Sequence, residues 1–164
     1  MSSASSPPPT DMQRYLDQPS NKKILKVSYK KKDLLTYAIA IGCQDERFIH
    51  AKSPNFSMFP TYPVSLFFKG DSDDAHEMRK HPIVLTMDNP FPSKPYGITT
   101  GLDGERYIER VRDLPIDGGE FVWRHEHIAI TRKTDTLVLA EYETTMEDMD
   151  GNVYYKFWSS QASM

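Results

Sequence analysis

Residues 121–130 read FVWRHEHIAI, a stretch rich in β-branched and aromatic side chains. Two further segments of the same character follow at 136–146 and 153–160. The breaks between them contain turn-forming residues, and Asp150-Gly151-Asn152 is a good signal for a tight hairpin turn. The pattern therefore predicts three hairpin-linked strands, an antiparallel meander that dominates the C-terminal third of the chain.

Shorter elements precede the meander. Weak alternation predicts a first strand at 23–30, and apolar spacing predicts a mostly buried helix at 32–43 with Gly42 as its stop. A short strand at 47–50, a second helix at 62–68 ended by Gly70 and a strand at 105–111 are also expected. Residues 88–95 are rich in proline and should be irregular. This order predicts an α+β fold whose long antiparallel sheet wraps around a helix.

Composition excludes several classes of protein. The 164 residues suffice for one domain, predicted at 22–164 after a disordered Ser/Pro-rich tail at 1–21. With 20 basic and 23 acidic side chains, the net charge of -3 argues against a nucleic-acid-binding protein. The single cysteine excludes an internal disulfide. The longest apolar run, 37–41, is too short to cross a membrane and no secretory signal is visible, so an intracellular protein is expected.

His125 and His127 are spaced so that both imidazoles share one face of a strand, beside Trp123. Two such histidines can hold a metal ion if a third ligand arrives from another strand. The spacing indicates no third ligand and a half-buried sheet face is favoured, so neither a metal nor a cofactor is predicted. Cys43 ends an apolar helix, where a small core residue is favoured over a thiolate nucleophile.

Asp45 and His50 are the weak candidates for catalysis, because a carboxylate and an imidazole can together activate water and protonate carbon. A surface aspartate and a strand-end histidine are the alternative interpretation. The Asx-Pro sequence at 88–90 is interpreted as a plain turn. A basic cluster favours either a solvated edge strand or a contact to phosphate. Its members are Lys22, Lys23, Lys26, Lys30, Lys31 and Lys32.

Four segments, in this order, resemble one family. They are DLLTYAIAIG at 33–42, RFIH at 47–50, PNFSMFPTYPV at 54–64, and GERYIE at 104–109 followed by Leu114-Pro115. The Phe-Ser-x-x-Pro-Thr-Tyr stretch and the Gly-Glu-x-Tyr-Ile-Glu strand are the most specific of them. Over about residues 23–162 the chain resembles the N-terminal half of the MaoC-like, double hot-dog (R)-specific enoyl-CoA hydratases of peroxisomal multifunctional enzymes.

The resemblance implies a hot-dog fold, an antiparallel sheet wrapped around a helix, that forms a homodimer or pairs with a second hot-dog unit. It implies an acyl-CoA thioester as the partner, no cofactor, and coenzyme A as the source of any phosphate at the lysine cluster. It also implies that four apolar residues line the tunnel for the acyl chain, namely Phe56, Met58, Phe59 and Tyr62.

The catalytic residues of this family lie in the C-terminal unit, in a Gly-Asp-x-Asn-Pro-x-His-x-Asp-Pro motif that is absent here. Asp45 and His50 have its Asp-to-His spacing, but Arg47 and Phe48 stand where Asn and Pro should be. These departures are those expected of a non-catalytic N-terminal half.

Three hypotheses for the function follow. The first is half of an (R)-specific enoyl-CoA hydratase for trans-2-enoyl-CoA thioesters, completed by a second unit that carries the catalytic Asp and His. The second is a non-catalytic acyl-CoA-binding or assembly module. The third is a self-sufficient dehydratase that uses Asp45 and His50. The expected location is peroxisomal or cytoplasmic, since the tripeptide at 162–164 lacks the basic middle residue of a peroxisomal signal.

Overall fold

A five-stranded antiparallel sheet organises the computed structural model, which describes residues 16–17, 21–74, 101–134 and 137–163. The strands lie in the order β1-β3-β4-β5-β2, so that β1 and β2 form the two edges. Along the chain the elements are β1 (Lys22–Lys30), α1 (Lys31–Ala40), α2 (Glu46–Ile49), α3 (Tyr62–Lys69), β2 (Gly101–Arg110), β3 (Gly118–Thr134), β4 (Leu137–Glu147) and β5 (Val153–Ser163).

The predicted meander is confirmed as β3, β4 and β5, which pair successively. The first strand, both helices and the strand that becomes β2 are also confirmed, with boundaries shifted by a few residues. Gly42 and Gly70 follow the helices with positive φ angles, as the stop signals predict. The irregular stretch at 88–95 and most of the tail at 1–21 lie outside the described residues, so those predictions stay predictions.

The prediction of a strand at 47–50 is wrong, because these residues belong to the single-turn helix α2 and its C-terminal end. The carboxylate of Asp45 accepts a hydrogen bond from the backbone N–H of Arg47 at 2.9 Å, which caps this turn. Four residues are too few to distinguish the period of a helix from that of a strand, so the cap was the only usable signal.

The core lies between one face of the sheet, here called the inner face, and the helices α1 and α3. Trp123 is fully buried at its centre, stacked on Phe157 at 4.9 Å between ring centroids and met edge-on by Phe67 of α3. Leu34 of α1 and Leu66 of α3 complete the contact from the helical side. Burial of these large side chains provides most of the stabilisation of the fold.

Helix α1 is less buried than its sequence indicates. Only Leu34 and Ala38 are buried in it, and Ile39 leaves 64% of its surface exposed. The expectation of a mostly buried helix is therefore wrong, because the helix packs against the sheet along one face only. Its apolar residues on the other face are available to a ligand or to another protein surface.

A charged cluster joins α1, α3 and β1. The ammonium of Lys69 lies 3.0 Å from the carbonyl oxygen of Ser28, 3.2 Å from a carboxylate oxygen of Asp73 and 3.7 Å from one of Asp33. Asp33 also accepts a hydrogen bond from the backbone N–H of Lys30 at the start of α1. Because Lys69 and Asp33 are largely shielded from water, the cluster fixes both helices relative to the edge strand.

Candidate functional site

The four residues predicted to line an acyl tunnel occupy different depths. Phe56 and Tyr62 are buried members of the core, whereas Met58 and Phe59 are half-buried. Met58 packs against the core from outside. The chain therefore places two of the four residues within reach of a ligand and two beneath them as support.

Aromatic rings connect these residues to α1. Phe59 lies 5.1 Å from Phe48 and 6.2 Å from Tyr37 between ring centroids. Tyr37 in turn meets Tyr62 edge-on at 5.4 Å, and its hydroxyl is 2.8 Å from the Thr61 hydroxyl. The result is a preorganised aromatic surface formed by the helix and by the loop before α3.

The Tyr62 hydroxyl is buried without a hydrogen-bond partner among the described residues, as is the indole N–H of Trp123. Burial is the main cause of a raised pKa for Tyr62, and the nearby Asp33 carboxylate and Tyr29 hydroxyl add to it. The hydroxyl is therefore neutral at physiological pH and acts only as a hydrogen-bonding group. No signal in the sequence identifies this unpartnered group, because its burial depends on packing.

Asp45 and His50 flank the short helix α2, one at each end. The Asp45 carboxylate binds the guanidinium of Arg47 through contacts of 2.6 to 3.1 Å, and this hydrogen bonding is the main cause of a lowered pKa for Asp45. His50 ends the helix with an exposed side chain. A carboxylate held by arginine is a weaker base than a free one, so the geometry gives this pair no evident activation.

Most of the lysine cluster lies on or next to the edge strand β1, as the solvated-edge interpretation predicts. Lys23, Lys26 and Lys32 form no ion pair within the described part of the chain. Lys26 and Lys32 are exposed and are available to an anion. Three other members pair with carboxylates of different elements, namely Lys22 with Glu126, Lys30 with Asp73 and Lys31 with Asp117.

His125 and His127 do share the inner face of the sheet, with ring centroids 5.7 Å apart. Burial lowers the pKa of each to about 4, and the ammonium of Lys23 contributes to both shifts. Within the described ranges, no group of three His, Cys, Asp or Glu side chains is placed to hold a metal ion. Because their pKa values lie near 4, both imidazoles are neutral at physiological pH.

Cys43 lies just after α1 and is half-buried, and its backbone N–H donates to the carbonyl of Ala38 at 2.9 Å. It therefore takes part in the end of the helix. No helix in the described part of the chain is long and apolar enough to cross a membrane.

Comparison with known proteins identifies the family. Residues 27–161 match the family model described as the MFE-2 hydratase 2 N-terminal domain. The chain belongs to this family. Its fold is the hot-dog fold, shared with solved MaoC-like dehydratases and (R)-hydratases.

Three similar proteins define the relationship. A MaoC-like dehydratase from Phytophthora capsici is 30% identical, with a TM-score of 0.70 over 92% of this chain and 49% of that chain. The probable dehydratase NIT22 of Ajellomyces capsulatus is 27% identical over 143 residues, 83% of this chain and 37% of the relative. The peroxisomal multifunctional enzyme type 2 of Drosophila melanogaster is 19% identical, with a TM-score of 0.64 over 93% of this chain and 25% of that chain, and shows the fold.

The chain thus spans half or less of the length of these relatives. Other structural neighbours are hot-dog units of two-protein complexes, including HadBC and ChsH1-ChsH2 of Mycobacterium tuberculosis. Units of this fold therefore occur as parts of multi-domain or multi-subunit assemblies.

Proposed function

We propose that this chain is the acyl-binding half of an (R)-specific enoyl-CoA hydratase acting on trans-2-enoyl-CoA thioesters. A second hot-dog unit supplies the catalytic aspartate and histidine. The observation that carries the proposal is the match to the N-terminal domain of a hydratase, in a chain that covers 49% of a related MaoC-like dehydratase. A location in peroxisomes or in the cytoplasm stays a prediction.

Hydration adds water across the C2–C3 double bond of the thioester. The water oxygen bonds to C3, a proton is delivered to C2, and a base accepts the remaining proton of the attacking water. Polarisation of the thioester carbonyl stabilises the charge that develops on its oxygen. In this proposal the second unit carries out the proton transfers, and the present chain binds and orients the acyl group.

The aromatic surface beside α1 supports the binding role. We assign the acyl chain to Met58 and Phe59, which are half-buried and apolar, with Phe56 and Tyr62 beneath them. A flexible thioether next to a fixed ring adapts to acyl chains of different shape. The ion-paired state of Asp45 supports the assignment of catalysis to another unit.

The isolated chain should bind a medium-chain acyl-CoA but should not hydrate the corresponding trans-2-enoyl-CoA. Binding is measured by calorimetry and hydration by loss of the conjugated thioester absorbance, with and without an added hot-dog unit that carries the family motif. Turnover that appears only with the added unit is expected. Binding without turnover under either condition would favour the non-catalytic acyl-CoA-binding module instead.

The same assay tests the weak catalytic candidates. Turnover by the isolated chain that is lost in His50→Ala would assign the chemistry to Asp45 and His50 and would contradict the proposed division of labour. Loss of acyl-CoA binding in Phe59→Ala, with the fold retained by circular dichroism, would support the proposed tunnel. An absence of any acyl-CoA binding by the wild-type chain would overturn the proposed function.

We place the second unit against the edge strand β2. The described side chains of β2 are exposed, including Tyr107 at 61% and Ile108 at 37%. The two exposed apolar side chains lie among charged residues of β2, whose unpaired backbone groups are open to another strand. The opposite edge, β1, carries lysines on its outer face, and such lysines prevent pairing between sheet edges.

Lysine substitutions at the two edges should therefore have different effects on association. The double variant Tyr107→Lys with Ile108→Lys should weaken association with a second hot-dog unit or a second copy at least tenfold. Ile24→Lys, at a position of β1 that is 62% exposed, is the matched control and should leave association unchanged. Sedimentation velocity at micromolar concentration measures the association of both variants. A wild-type chain that stays a compact monomer and does not bind an added hot-dog unit would contradict the pairing.

A further inference from the structure

The inner face of the sheet changes character beyond Trp123. Its apolar part faces the helices, but the next positions along β3 are His125 and His127. Opposite them on β4 lie Thr144 and Tyr142, respectively. A fifth polar residue continues the series onto β5, where Ser159 lies opposite Tyr142. These five residues form a continuous polar row across three strands, because residues opposite each other in a ladder share a face.

Most of the polar row is shielded from water. His127, Thr144 and Ser159 are buried, and His125 and Tyr142 are half-buried. Both imidazoles contact the Tyr142 ring, with centroids 5.0 and 5.7 Å away. Tyr142 is therefore held in place between the two histidines and the neighbouring strand, so its hydroxyl has a restricted position.

The hydrogen-bonding capacity of the row is only partly used. Nδ1 of His125 lies 2.8 Å from the Thr144 hydroxyl. Nδ1 of His127 lies 3.2 Å from Oδ1 of Asn21, and an amide oxygen only accepts, so this nitrogen donates. By contrast, the hydroxyls of Tyr142 and Ser159 form no hydrogen bond to any residue in the described ranges.

Neither hydroxyl is fully enclosed, since the buried side-chain atoms without a partner are those of Tyr62 and Trp123. Both hydroxyls are therefore available to a water molecule or to a ligand. Two features favour a ligand with an uncharged oxygen where the Tyr142 and Ser159 hydroxyls lie. The row there is beside the apolar Phe157, which is opposite Thr144. The cations that continue the ladders are Lys23, opposite His125 on the far side of the row, and Arg106, whose guanidinium is paired with the Asp103 carboxylate. A mostly apolar surface with a few fixed polar groups is typical of a site that recognises small molecules.

The row also has an accessible end. Beyond Ser159 the ladder continues to Arg106 of β2, and beyond Phe157 it continues to Ile108. Both residues are exposed, and they lie on the strand proposed to meet the second unit. A ligand held at that junction would reach the row from the β2 side of the sheet.

We infer that the polar row hydrogen-bonds an uncharged oxygen substituent, a hydroxyl or a carbonyl, carried by the acyl group beyond the thioester. The chain would then prefer oxygenated acyl-CoA thioesters to hydrocarbon ones of the same length. This inference rests on the proposed acyl-CoA function and names the substrate class within it. Tyr142 provides the main contact and Ser159 the second.

Binding of matched ligands tests the inference. The probes are a saturated medium-chain acyl-CoA and acyl-CoA thioesters of the same length with one hydroxyl at successive carbons. At least one hydroxylated ligand should bind about five- to tenfold more tightly to the wild-type chain, the value of one net hydrogen bond. The readout is the ratio of the two dissociation constants, measured by calorimetry.

Tyr142→Phe removes only the hydroxyl and should bring this ratio close to one. Tyr154→Phe is the matched control, because Tyr154 packs against Phe121 at the other end of the sheet and should keep the ratio. Ser159→Ala gives an independent measurement if Tyr142→Phe is poorly folded, and should also reduce the ratio.

The failures of the two proposals are distinguishable. Equal affinities of the wild-type chain for all the ligands would overturn the inference and would leave acyl-CoA binding intact, with water as the partner of the row. A preference that survives both Tyr142→Phe and Ser159→Ala would also overturn it. No binding of any acyl-CoA would overturn the proposed function and the inference together.

Discussion

Between pH 6.5 and pH 4 the free energy of unfolding should fall by several kcal/mol, because two histidines are buried in their neutral form. Burial lowers the pKa of His125 and His127 from the ordinary 6.5 to about 4. Each imidazole can contribute roughly 3 kcal/mol to this loss. Repulsion from a protonated His127 contributes to the shift of His125 alone, so the combined effect is smaller than the simple sum.

The sign follows from proton uptake. In the unfolded chain both imidazoles become protonated as the pH falls through 6.5, whereas in the folded chain they stay neutral down to about pH 4. The unfolded state therefore binds more protons within this window, and stability rises with pH across it. The contribution of the two neutral histidines to stability is fully present above pH 6.5 and is lost as the pH falls to 4.

Carboxylates affect the stability at lower pH than the histidines do. The ammonium groups of Lys30 and Lys69 hold the pKa of Asp73 at about 2, below its ordinary value of 3.8. Its contribution is therefore present above pH 3.8 and is lost only as the pH falls towards 2. The pKa of Glu147 is lowered from its ordinary 4.5, so its contribution begins to be lost only below that pH. The loss between pH 6.5 and about pH 4.5 is consequently assigned to the histidines.

Urea denaturation at several pH values from 7.5 to 4 measures the effect. A double variant, His125→Gln with His127→Gln, should flatten the dependence on pH, although its stability at pH 7.5 will be lower. His50→Gln is the matched control, since His50 is exposed, and should keep the full dependence. If the free energy of unfolding of the double variant depended on pH as steeply as that of the wild type, the role of the two buried histidines would be refuted.

The sheet was largely predictable from the sequence because its signals are local. The hairpin signal Asp150-Gly151-Asn152 lies where β4 turns into β5, and Gly151 has the positive φ that such turns favour. The exposed face of α1 was not predictable, because an apolar residue such as Ile39 looks the same whether a neighbouring element covers it or not. Covering depends on long-range packing, which periodicity does not report.

The candidate site was predictable only in part. Alternation placed His125 and His127 on one face, and the structure confirms this placement. Their partners Asn21, Thr144 and Tyr142 depend on the registers of two strand pairs. A one-residue slip of either ladder would exchange these partners, and no feature of residues 121–130 alone fixes the register.

Gly118→Ala should destabilise the chain by about 3 kcal/mol or more, a larger loss than a strained backbone alone produces. Gly118 begins β3 with a φ of 111°. A methyl group there would collide with the carbonyl oxygen of Tyr29 and would lie 3.0 Å from the Cα atom of Lys30. Both neighbours are backbone atoms of β1, so the collision can be relieved only by shifting one strand against the other.

Gly151→Ala is the matched control because it separates strain from collision. Gly151 also has a positive φ, 84°, but nothing lies within 4 Å of an added methyl group, so about 1 kcal/mol is expected. Urea denaturation measures how much each variant lowers the free energy of unfolding. Equal losses of stability in the two variants would mean that β1 and β3 do not approach so closely at Gly118.

The location of the Gly118 collision connects it to the proposed binding surface. Where β1 passes Gly118, the Tyr29 hydroxyl donates to the carbonyl of Pro115 at 2.6 Å. Lys31, the first residue of α1, lies over the Phe56 ring at 5.3 Å. A shift of β1 would displace both contacts, so Gly118→Ala should weaken acyl-CoA binding as well as stability, whereas Gly151→Ala should leave binding unchanged.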